Sequence, residues 1–203
     1  MESFDVLIIG GSAAGLSCAL ILGSAMEKPF AKNKKIGIIT HQKASALQNA
    51  ELNNVLGFKK GTKGSTILEE GLKQLTSDFP KVIQISNEKV VSILKEGNSI
   101  SIKTNKNLYK ASKIVITTSP AKPAIIKGLE SYVIPHPTIP AIKDKIMLKN
   151  HNHIVAEGIY VAGVIAGWRS QYAIAAGSGA LVATDILTEW NNGNHTMIHD
   201  VIE

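Results

Sequence analysis

The sequence has one cysteine, one arginine and few aromatic residues, which make up 5% of the chain. Without a second cysteine, Cys18 cannot form an internal disulfide, a cysteine zinc site or a Cys-x-x-Cys redox pair. A lone cysteine also suits a reducing compartment. Because Cys18 falls in an apolar helical segment, we expect it to be a small buried hydrophobe rather than a reactive thiol.

Concentrated positive charge is also missing. The formal charge is +6, which raises the question of nucleic-acid binding, yet the lysines are scattered singly or in pairs such as Lys34-Lys35 and Lys59-Lys60. A nucleic-acid surface normally gathers its basic residues on one face. We therefore expect a solvated, lysine-rich exterior and no nucleic-acid partner.

The nearly uncharged stretch from Val6 to Ala25 has the length of a signal peptide but the wrong surroundings. Glu2 and Asp5 precede it, where a signal peptide carries positive charge, and glycines interrupt it. The same interruptions argue against a membrane span. The expected location is cytoplasmic, with no membrane partner.

The first forty residues predict a βαβ unit. Phe4–Ile9 is apolar and β-branched, as in a strand buried on both faces, Gly10-Gly11-Ser12 predicts a turn, and Ala13–Met26 has helical composition. Ile36–Thr40 predicts a second buried strand. Such a unit indicates a parallel sheet.

The rest of the chain extends this α/β pattern. We predict a loop over 42–63, a helix over 66–79, short strands from 81 to 118, an irregular connection over 119–140, a strand over 158–163 and a helix over 172–190. Three of the short strands are expected to form an antiparallel meander, and Ile114–Thr117 to return to the main sheet. The predicted fold is a Rossmann-like α/β domain over 1–190, with a tail over 191–203.

The turn between the first strand and helix suits a pyrophosphate. A helix start offers free N–H groups and the positive end of the helix dipole, and small residues let phosphate approach the backbone. The segment Gly10-Gly11-Ser12-Ala13-Ala14-Gly15 supplies small residues in the G-x-G-x-x-G spacing, with Ser12 in place of the middle glycine. The alternative is a small-residue turn in an ordinary α/β protein.

The acidic residue that usually follows the second strand and binds ribose is missing. Thr40-His41-Gln42-Lys43 stands there. Thr40 or His41 then binds the ribose of FAD more weakly, or His41 and Lys43 accommodate the 2′-phosphate of NADP. This turn alone leaves both interpretations open.

Four segments occur in an order that resembles the thioredoxin-reductase-like flavoproteins, within the pyridine nucleotide–disulphide oxidoreductases. They are VLIIGGSAAGL (6–16), NNVLG (53–57), IVITTS (114–119) and GIYVAGVIAGWRSQYAIAAGSG (158–179). The resemblance covers most of residues 4 to 190 as the FAD-binding half of such an enzyme. It implies that FAD is the cofactor and that the helix starting near Gln171 points its N-terminus at the flavin.

The resemblance also implies which residues contact FAD. The pyrophosphate would lie against Gly10, Gly11, Ser12, Ala13, Ala14 and Gly15, the adenosine ribose beside Thr40 and His41, and the adenine at the backbone of Val90. The middle of the cofactor would meet Asn54, Thr117 and Thr118, the ribityl chain Gly163 and Val164, and the pyrimidine edge of the flavin Gln171, Tyr172 and Ala173.

Three departures from the family pattern limit what the chain can do. Val164 replaces the aspartate expected after Gly163, and the ribose-binding acid is missing. About forty residues (119–157) stand where the family has an NADPH domain, with no second glycine turn and no dithiol. The chain thus looks like a trimmed FAD scaffold rather than a thioredoxin reductase.

These departures leave three functional hypotheses. The first is an FAD-dependent oxidoreductase whose donor, a small molecule or a protein, comes from solution, and no catalytic acid or base can be named. The others are a non-catalytic nucleotide-binding module and an NADP-binding protein. Because a trimmed scaffold exposes one face of its cofactor, a homodimer is also expected.

The histidines predict no metal site. His151 and His153 flank Asn152, and His195 and His199 are four residues apart, but no carboxylate or cysteine cluster accompanies them. Trp168 and Tyr172 bracket Arg169 before the last helix, where they cover the flavin, meet a partner chain or simply pack.

Overall fold

The computed structural model describes residues 1–41, 45–121 and 126–198. Its helices and strands in chain order are β1 (Glu2–Ile9), α1 (Ala13–Ser24), β2 (Ile36–Thr40), β3 (Glu51–Leu52), β4 (Thr62–Lys63), α2 (Gly64–Asp78), β5 (Ile83–Ser86), β6 (Val90–Glu96), β7 (Ser99–Thr104), β8 (Leu108–Ile116), β9 (Val133–Pro135), β10 (Ile146–Leu148), β11 (Ile154–Ala156), β12 (Ile159–Val161) and α3 (Tyr172–Trp190).

A parallel sheet in the order β5-β2-β1-β8-β12 forms the centre of the molecule, with β11 antiparallel on the outer edge of β12. β1 lies in the middle, with Val6 beside Ile36 of β2 on one side and Lys113 of β8 on the other. Strands buried on both faces are nearly all apolar, as Val6–Ile9 is. This confirms the predicted α/β fold with a parallel sheet.

The two faces of the sheet carry different layers. Val6 and Ile8 point toward a core that includes Leu22 of α1, Leu75 of α2 and Ile186 of α3. The alternate residues of β1 belong to a second core, built from the strands β6 to β8 and the hairpin β9–β10. Side chains along a strand alternate between faces, so one apolar strand serves both cores.

The antiparallel meander is present, but one prediction about it is wrong. The sequence pattern puts Val82–Ile85 in the meander, whereas β5 joins the parallel sheet beside β2, with Gly37 opposite Ile83. The third meander strand is instead the first half of β8, which pairs antiparallel with β7. The second half of β8 then pairs in parallel with β12. Both pairings follow the same edge of β8, so one nine-residue strand belongs to both the meander and the parallel sheet.

Three connecting segments are more ordered than the sequence predicts. Within the predicted loop over 42–63 lie a 3₁₀ turn at Ala46–Asn49 and the pair β3–β4. The connection after β8 contains β9, which pairs with β10. In the predicted tail, Thr196 is buried and Ile198 packs against the helix-side core. Residues 199–203, with His199, lie outside the described residues.

Helix α1 ends at Ser24, two residues before the predicted end, and α2 covers Gly64–Asp78 rather than 66–79. Across the described ranges, no helix is both long and apolar enough to cross a bilayer.

Candidate functional site

The carboxyl ends of four parallel strands meet along one edge of the sheet. The amide of Gly10 donates to the carbonyl of Ile39 at 2.9 Å, and that of Thr117 to Ile9 at 2.9 Å. On the far side, the amide of Ala162 donates to Ile116 at 2.9 Å. These bonds continue the sheet for one residue past each strand. Ligands of open α/β sheets bind outside such an edge.

Backbone atoms pack closely within the glycine turn at this edge. Gly10 has φ of +118°, a conformation that favours glycine. A side chain at Gly15 would collide with the carbonyl oxygen of Gly10. Gly15 is therefore needed for close packing of α1 on the turn, as the G-x-G-x-x-G pattern implies.

Helix α1 opens onto the edge with uncapped amides. Ser12 is its N-cap residue, but the serine side chain makes no capping hydrogen bond. The Ser12 hydroxyl instead lies 2.8 Å from that of Ser45, which is on the opposite wall. The first amides of a helix have no partner within the helix. The start of α1 thus presents donors and positive dipole to whatever lies between these walls.

Helix α3 begins beside α1 and faces the same way. Its N-cap residue, Gln171, also makes no side-chain capping bond. The contact between the helices runs through Ala14, because a side chain at Gly179 would collide with the Ala14 carbonyl oxygen and one at Gly163 would lie 3.0 Å from the Ala14 Cβ. Small residues at these points let α3 and the turn at Gly163 pack closely against the start of α1.

One groove joins the two helix starts. It consists of two cavities of about 390 Å³ and 470 Å³. We call the larger the β2 half, because it reaches Thr40 and His41, and the smaller the α3 half, because it reaches Gln171 and Tyr172. The two halves share the lining residues Ser12, Ser45, Thr117, Thr118 and Ser119.

The groove brings together most of the residues that the sequence assigned to a cofactor. The β2 half is lined by Gly10, Gly11, Ser12, Thr40, His41, Val90, Thr117 and Thr118. The α3 half is lined by Ser12, Ala13, Ala14, Asn54, Thr117, Thr118, Gly163, Val164, Gln171 and Tyr172. Two assigned residues, Gly15 and Ala173, line neither half. Gly15 is buried beneath the turn, and Ala173 is exposed on the outer side of α3.

Sequence reasoning missed several residues of the groove. Ser45 lies on the wall opposite α1 and caps the Ala46–Asn49 turn by accepting from the amide of Leu47 at 3.1 Å. Glu51 lines the α3 half, and Glu69 lines the β2 half. No periodicity or motif marks these positions, because they come from loops and a helix flank that approach only in the folded chain.

Glu88 is the most buried carboxylate that lines the groove. It accepts from Thr104 Oγ1 at 2.6 Å, from Asn107 Nδ2 at 2.6 Å and from the Tyr109 hydroxyl at 3.0 Å. Burial alone would raise the pKa of Glu88, but these hydrogen bonds, with the nearby charge of Lys106, lower it on balance. Glu88 thus ties the loop after β5, which forms one wall of the β2 half, to the meander.

The charges along the groove lie toward its two ends. Lys89 lines the β2 half together with the carboxylates of Glu69 and Glu88, and Glu51 lines the α3 half. Of the residues described as lining the shared middle section, none is charged. An anion there would be met by backbone amides and hydroxyls. Lys43, which the NADP interpretation requires, lies outside the described residues.

The turn at Val164–Ala166 shapes the floor of the α3 half. Gly163, with φ of +78°, donates its amide to Ser178 Oγ at 2.9 Å. The Val164 carbonyl accepts from His136 Nε2 at 2.9 Å, so that nitrogen carries the proton. His136 and Ser178 are buried and were not singled out in the sequence. They hold the backbone of this turn from opposite sides.

His153 and Cys18 are both buried among neighbouring residues. His153 is buried, with Nδ1 2.8 Å from the Val161 carbonyl and the Trp168 indole N–H donating to Nε2 at 3.3 Å. Cys18 is fully buried, and burial raises the pKa of its thiol, so it stays protonated. Within the described ranges no three His, Cys, Asp or Glu side chains are grouped so as to hold a metal ion.

Solved structures share this fold. The chain is similar to a ferredoxin-flavin thioredoxin reductase from Clostridium acetobutylicum, with 18% identity, a TM-score of 0.67, and 95% of this chain and 99% of that chain covered. A thioredoxin reductase from Gloeobacter violaceus gives 15% identity, a TM-score of 0.71 and 100% coverage of both chains. The fold is therefore that of the thioredoxin reductases, as the sequence resemblance implies.

One curated relative matches in sequence. The "Uncharacterized oxidoreductase CzcO" of Bacillus subtilis (strain 168) is 28% identical over 147 residues, which is 64% of this chain. The chain spans about two fifths of that relative's length, since 41% of it is covered. No family model matches the chain.

Proposed function

We propose that this chain binds FAD in the groove and acts as an oxidoreductase that receives electrons from an external donor. The observation that carries the proposal is that the uncapped starts of α1 and α3 open onto one continuous groove. A dinucleotide is the kind of ligand that needs an anion site in its middle and a second polar site at one end. The fold of the thioredoxin reductases supports the same assignment.

The size and the lining of the groove fit FAD. Each half of the groove falls within the volume range of ordinary ligand sites. The pyrophosphate would lie at the shared middle section, against the amides of Ala13 and Ala14 and the hydroxyls of Ser12 and Ser45. The adenosine would occupy the β2 half, near Thr40 and His41.

The flavin would occupy the α3 half, with the ribityl chain over Gly163 and Val164 and the pyrimidine edge at the first turn of α3. Bound there, the cofactor supplies the electron-transfer chemistry. The amides at the start of α3 stabilise negative charge at that edge. Asn54 and Thr118 line the route between the pyrophosphate and the flavin.

The proposed donor is external because the described residues between Thr117 and Gly158 form no second nucleotide site. Between Thr117 and Gly158 the described chain forms the hairpin β9–β10, and this hairpin packs beneath the Val164–Ala166 turn, with Met147 next to Gly167. It offers no second glycine turn. The donor is then a small molecule from solution or a partner protein, and one structural relative carries ferredoxin in its name.

Two substitutions at Ser12 test the cofactor site. They introduce Asp and Asn, which are near-isosteric with each other and differ in charge. Asp is a good N-cap, so Ser12→Asp should preserve or raise the stability of the free protein. Its carboxylate would face the pyrophosphate, and a unit charge about 4 Å away costs several kcal/mol at an effective dielectric constant near 20. We expect FAD affinity to fall about a hundredfold or more. Ser12→Asn is the neutral control and should bind within a few fold of wild type.

The measurement is an FAD titration followed by the flavin absorption bands near 375 and 450 nm, which any oxidised flavin shows. A wild-type protein that takes up no FAD, or Asp and Asn variants with equal affinity, would contradict the proposal. Bleaching of the bound flavin by an added donor would establish the oxidoreductase part.

A non-catalytic nucleotide-binding module is the second candidate, favoured by the missing ribose-binding acid after β2 and by Val164, which stands where the resemblance implies an aspartate. It predicts FAD uptake with no turnover by any donor. Binding of NADP but not FAD would instead support the NADP interpretation.

A further inference from the structure

A tight turn between His151 and Ile154 holds a buried histidine in an uncommon backbone conformation. Asn152 and His153 have φ of +46° and +68°, and His151 and Ile154 on either side exchange both backbone hydrogen bonds at 2.9 Å. Asn-Gly is the usual pair where both central residues of a two-residue turn have positive φ. Here histidine takes the place of glycine, and its side chain is buried. Residues held in such conformations cluster at functional sites.

Both ring nitrogens of His153 are committed to one direction of hydrogen bonding. Nδ1 lies 2.8 Å from the carbonyl oxygen of Val161, which can only accept, so Nδ1 carries a proton. Nε2 accepts from the indole N–H of Trp168 at 3.3 Å, and an indole N–H can only donate. The imidazole is therefore neutral in this arrangement. A second proton would have to go to Nε2, where it would face the indole N–H.

Trp168 connects this histidine to the candidate cofactor site. Its ring stacks on the imidazole, with centroids 5.7 Å apart and planes at 28°. Ser170 and Gln171 follow within three residues and line the α3 half. The amide of Gln171 donates to the carbonyl of Arg169 at 2.9 Å, and Gln171 is the N-cap residue of α3. The position of Trp168 therefore affects the residues that lead into the start of α3.

We propose that His153 makes this part of the site sensitive to pH. The neutral imidazole holds Trp168 in place, and protonation at Nε2 breaks the hydrogen bond and loosens the segment from Trp168 to Gln171. Histidine is the side chain whose charge ordinarily changes between about pH 5 and pH 8. The stabilisation that the bond provides is therefore present at the upper end of this range and is lost toward the lower end. Only the effect on FAD rests on the proposed function.

One carboxylate lies within electrostatic range of His153. Asp185 of α3 interacts with the charge of the imidazole, and a negative charge favours the protonated form. Tyr160 of β12 is buried and donates to Glu189 at 3.2 Å. The other ionisable side chains of the neighbouring segments are all exposed, namely Lys149, His151, Glu157, Arg169 and Glu189. Asp185 thus supplies a countercharge that helps the buried imidazole to take up a proton.

An NMR titration of the isotope-labelled protein from about pH 8 to pH 5 tests the pH sensitivity without any cofactor. The probes are the imidazole signals of His153 and the indole N–H signal of Trp168, which the Trp168→Phe variant identifies. We expect both signals to change with one common midpoint, and the indole N–H to exchange faster with water below it. His151→Gln removes the other histidine of this turn and should leave the common midpoint unchanged.

Three further variants test how the proton and the indole are coupled. Asparagine tolerates positive φ and has an amide that can donate to the Val161 carbonyl, so His153→Asn keeps the turn without an ionisable group. Its Trp168 signal should no longer respond to pH. Trp168→Phe keeps a ring but lacks the N–H that opposes the second proton, so it should move the His153 midpoint up by about half a pH unit or more. Asp185→Asn removes the countercharge and should move the midpoint down.

The effect on the cofactor is measured by titrating FAD into wild type and His153→Asn at both ends of the pH range. His41 lines the β2 half and is also ionisable, but both proteins keep it, so the difference between them isolates His153. We expect wild type to bind FAD about fivefold more tightly than His153→Asn at the upper end, where the hydrogen bond to Trp168 is intact. This advantage should vanish at the lower end.

Three outcomes would overturn the inference. The first is a Trp168 signal that stays constant over the titration or changes equally in wild type and His153→Asn. The second is a His153 midpoint that is the same in Trp168→Phe as in wild type. The third is a ratio of FAD affinities between wild type and His153→Asn that does not depend on pH. If wild type takes up no FAD, the proposed function fails, and the NMR titration by itself decides whether His153 controls Trp168.

Discussion

Thr117 is hydrogen-bonded to Gly10. Its Oγ1 lies 2.9 Å from the carbonyl oxygen of Gly10 and 3.0 Å from that of Ile9. A side chain at Gly10 or Gly15 would come within 2.8 Å and 2.7 Å of this same hydroxyl. The sequence resemblance implies that Thr117 lies at the middle of the cofactor. Thr117 lines the shared middle section of the groove, and its hydroxyl also joins the end of β8 to the glycine turn, so we expect it to position a ligand through the backbone of that turn.

Replacing Thr117 with valine removes the hydroxyl and keeps the shape. The partly buried Gly10 carbonyl then loses this donor, which costs about 1 kcal/mol. We expect Thr117→Val to lower the unfolding free energy by that amount in urea denaturation and to weaken FAD binding, because the turn is no longer held. Thr117→Ser keeps the hydroxyl and should retain FAD affinity. Equal FAD affinities for the two variants would argue against a positioning role.

Two glycines of α3 give a second prediction with an internal control. A Cβ at Gly179 would collide with the carbonyl oxygen of Ala14 in α1, whereas one at Gly177 meets nothing within 4 Å. Gly177→Ala should therefore stabilise the protein by about 0.5–1 kcal/mol, through helix propensity alone. Gly179→Ala should destabilise it by about 2 kcal/mol or more, because overpacking forces the helices apart.

Thermal unfolding of the two alanine variants measures both effects. Because Gly179 lets α3 pack against Ala14, a residue at the start of α1 that lines the groove, its variant should also lose FAD affinity, while the Gly177 variant should not. A Gly179→Ala protein with wild-type melting temperature and FAD affinity would show that the helix contact does not define the groove.

The parts of the fold that sequence predicts are those that depend on neighbouring residues. The apolar run of β1, the glycine turn and the start of α1 at Ala13 all lie within about fifteen residues, where period, turn chemistry and helix composition agree. The same agreement places α3 at Tyr172–Trp190 with its observed bounds.

The parts that sequence misses depend on distant partners. Residues Val82–Ile85 have the period of a half-buried strand, and nothing local says whether such a strand pairs with β2 or with the meander. Glu88 stands between strands, where an acid normally faces solvent, and only the approach of Asn107 and Tyr109 explains its burial. Ser45 reaches the groove only because its loop folds over α1.

Glu88 gives a prediction about acid stability. The pKa of its carboxyl is lowered in the folded protein from the ordinary value of 4.5. Its stabilising contribution is therefore complete above about pH 4.5 and is lost as the pH falls through the lower, folded value. Glu88→Gln removes the charge and turns one acceptor into a donor that faces Thr104 or Tyr109. We expect it to lower the unfolding free energy at pH 7 by about 2 kcal/mol.

Urea denaturation at pH 7, 5 and 3 checks the sign. The difference between wild type and Glu88→Gln should be largest at pH 7 and should shrink as the pH falls below 4.5 and through the lowered pKa of the folded carboxyl. Glu96→Gln, which makes the same change at an exposed glutamate, should change stability little at any of these pH values. A pH-independent difference for Glu88→Gln would show that the carboxylate charge is not what stabilises the loop after β5.

Val164 provides the final prediction, because it stands where the resemblance implies an aspartate beside the ribityl chain. It is half-buried, lines the α3 half and has its carbonyl held by His136, so a new side chain there would keep the present backbone. The start of α3 opens onto the same half, and its dipole favours a carboxylate. If the flavin end of FAD lies here, Val164→Asp gains one charge-assisted hydrogen bond to a ribityl hydroxyl and should bind FAD about tenfold more tightly. Val164→Leu, an apolar control, should gain nothing. An Asp variant that bound FAD no better than the Leu variant would mean that the ribityl chain runs elsewhere in the groove.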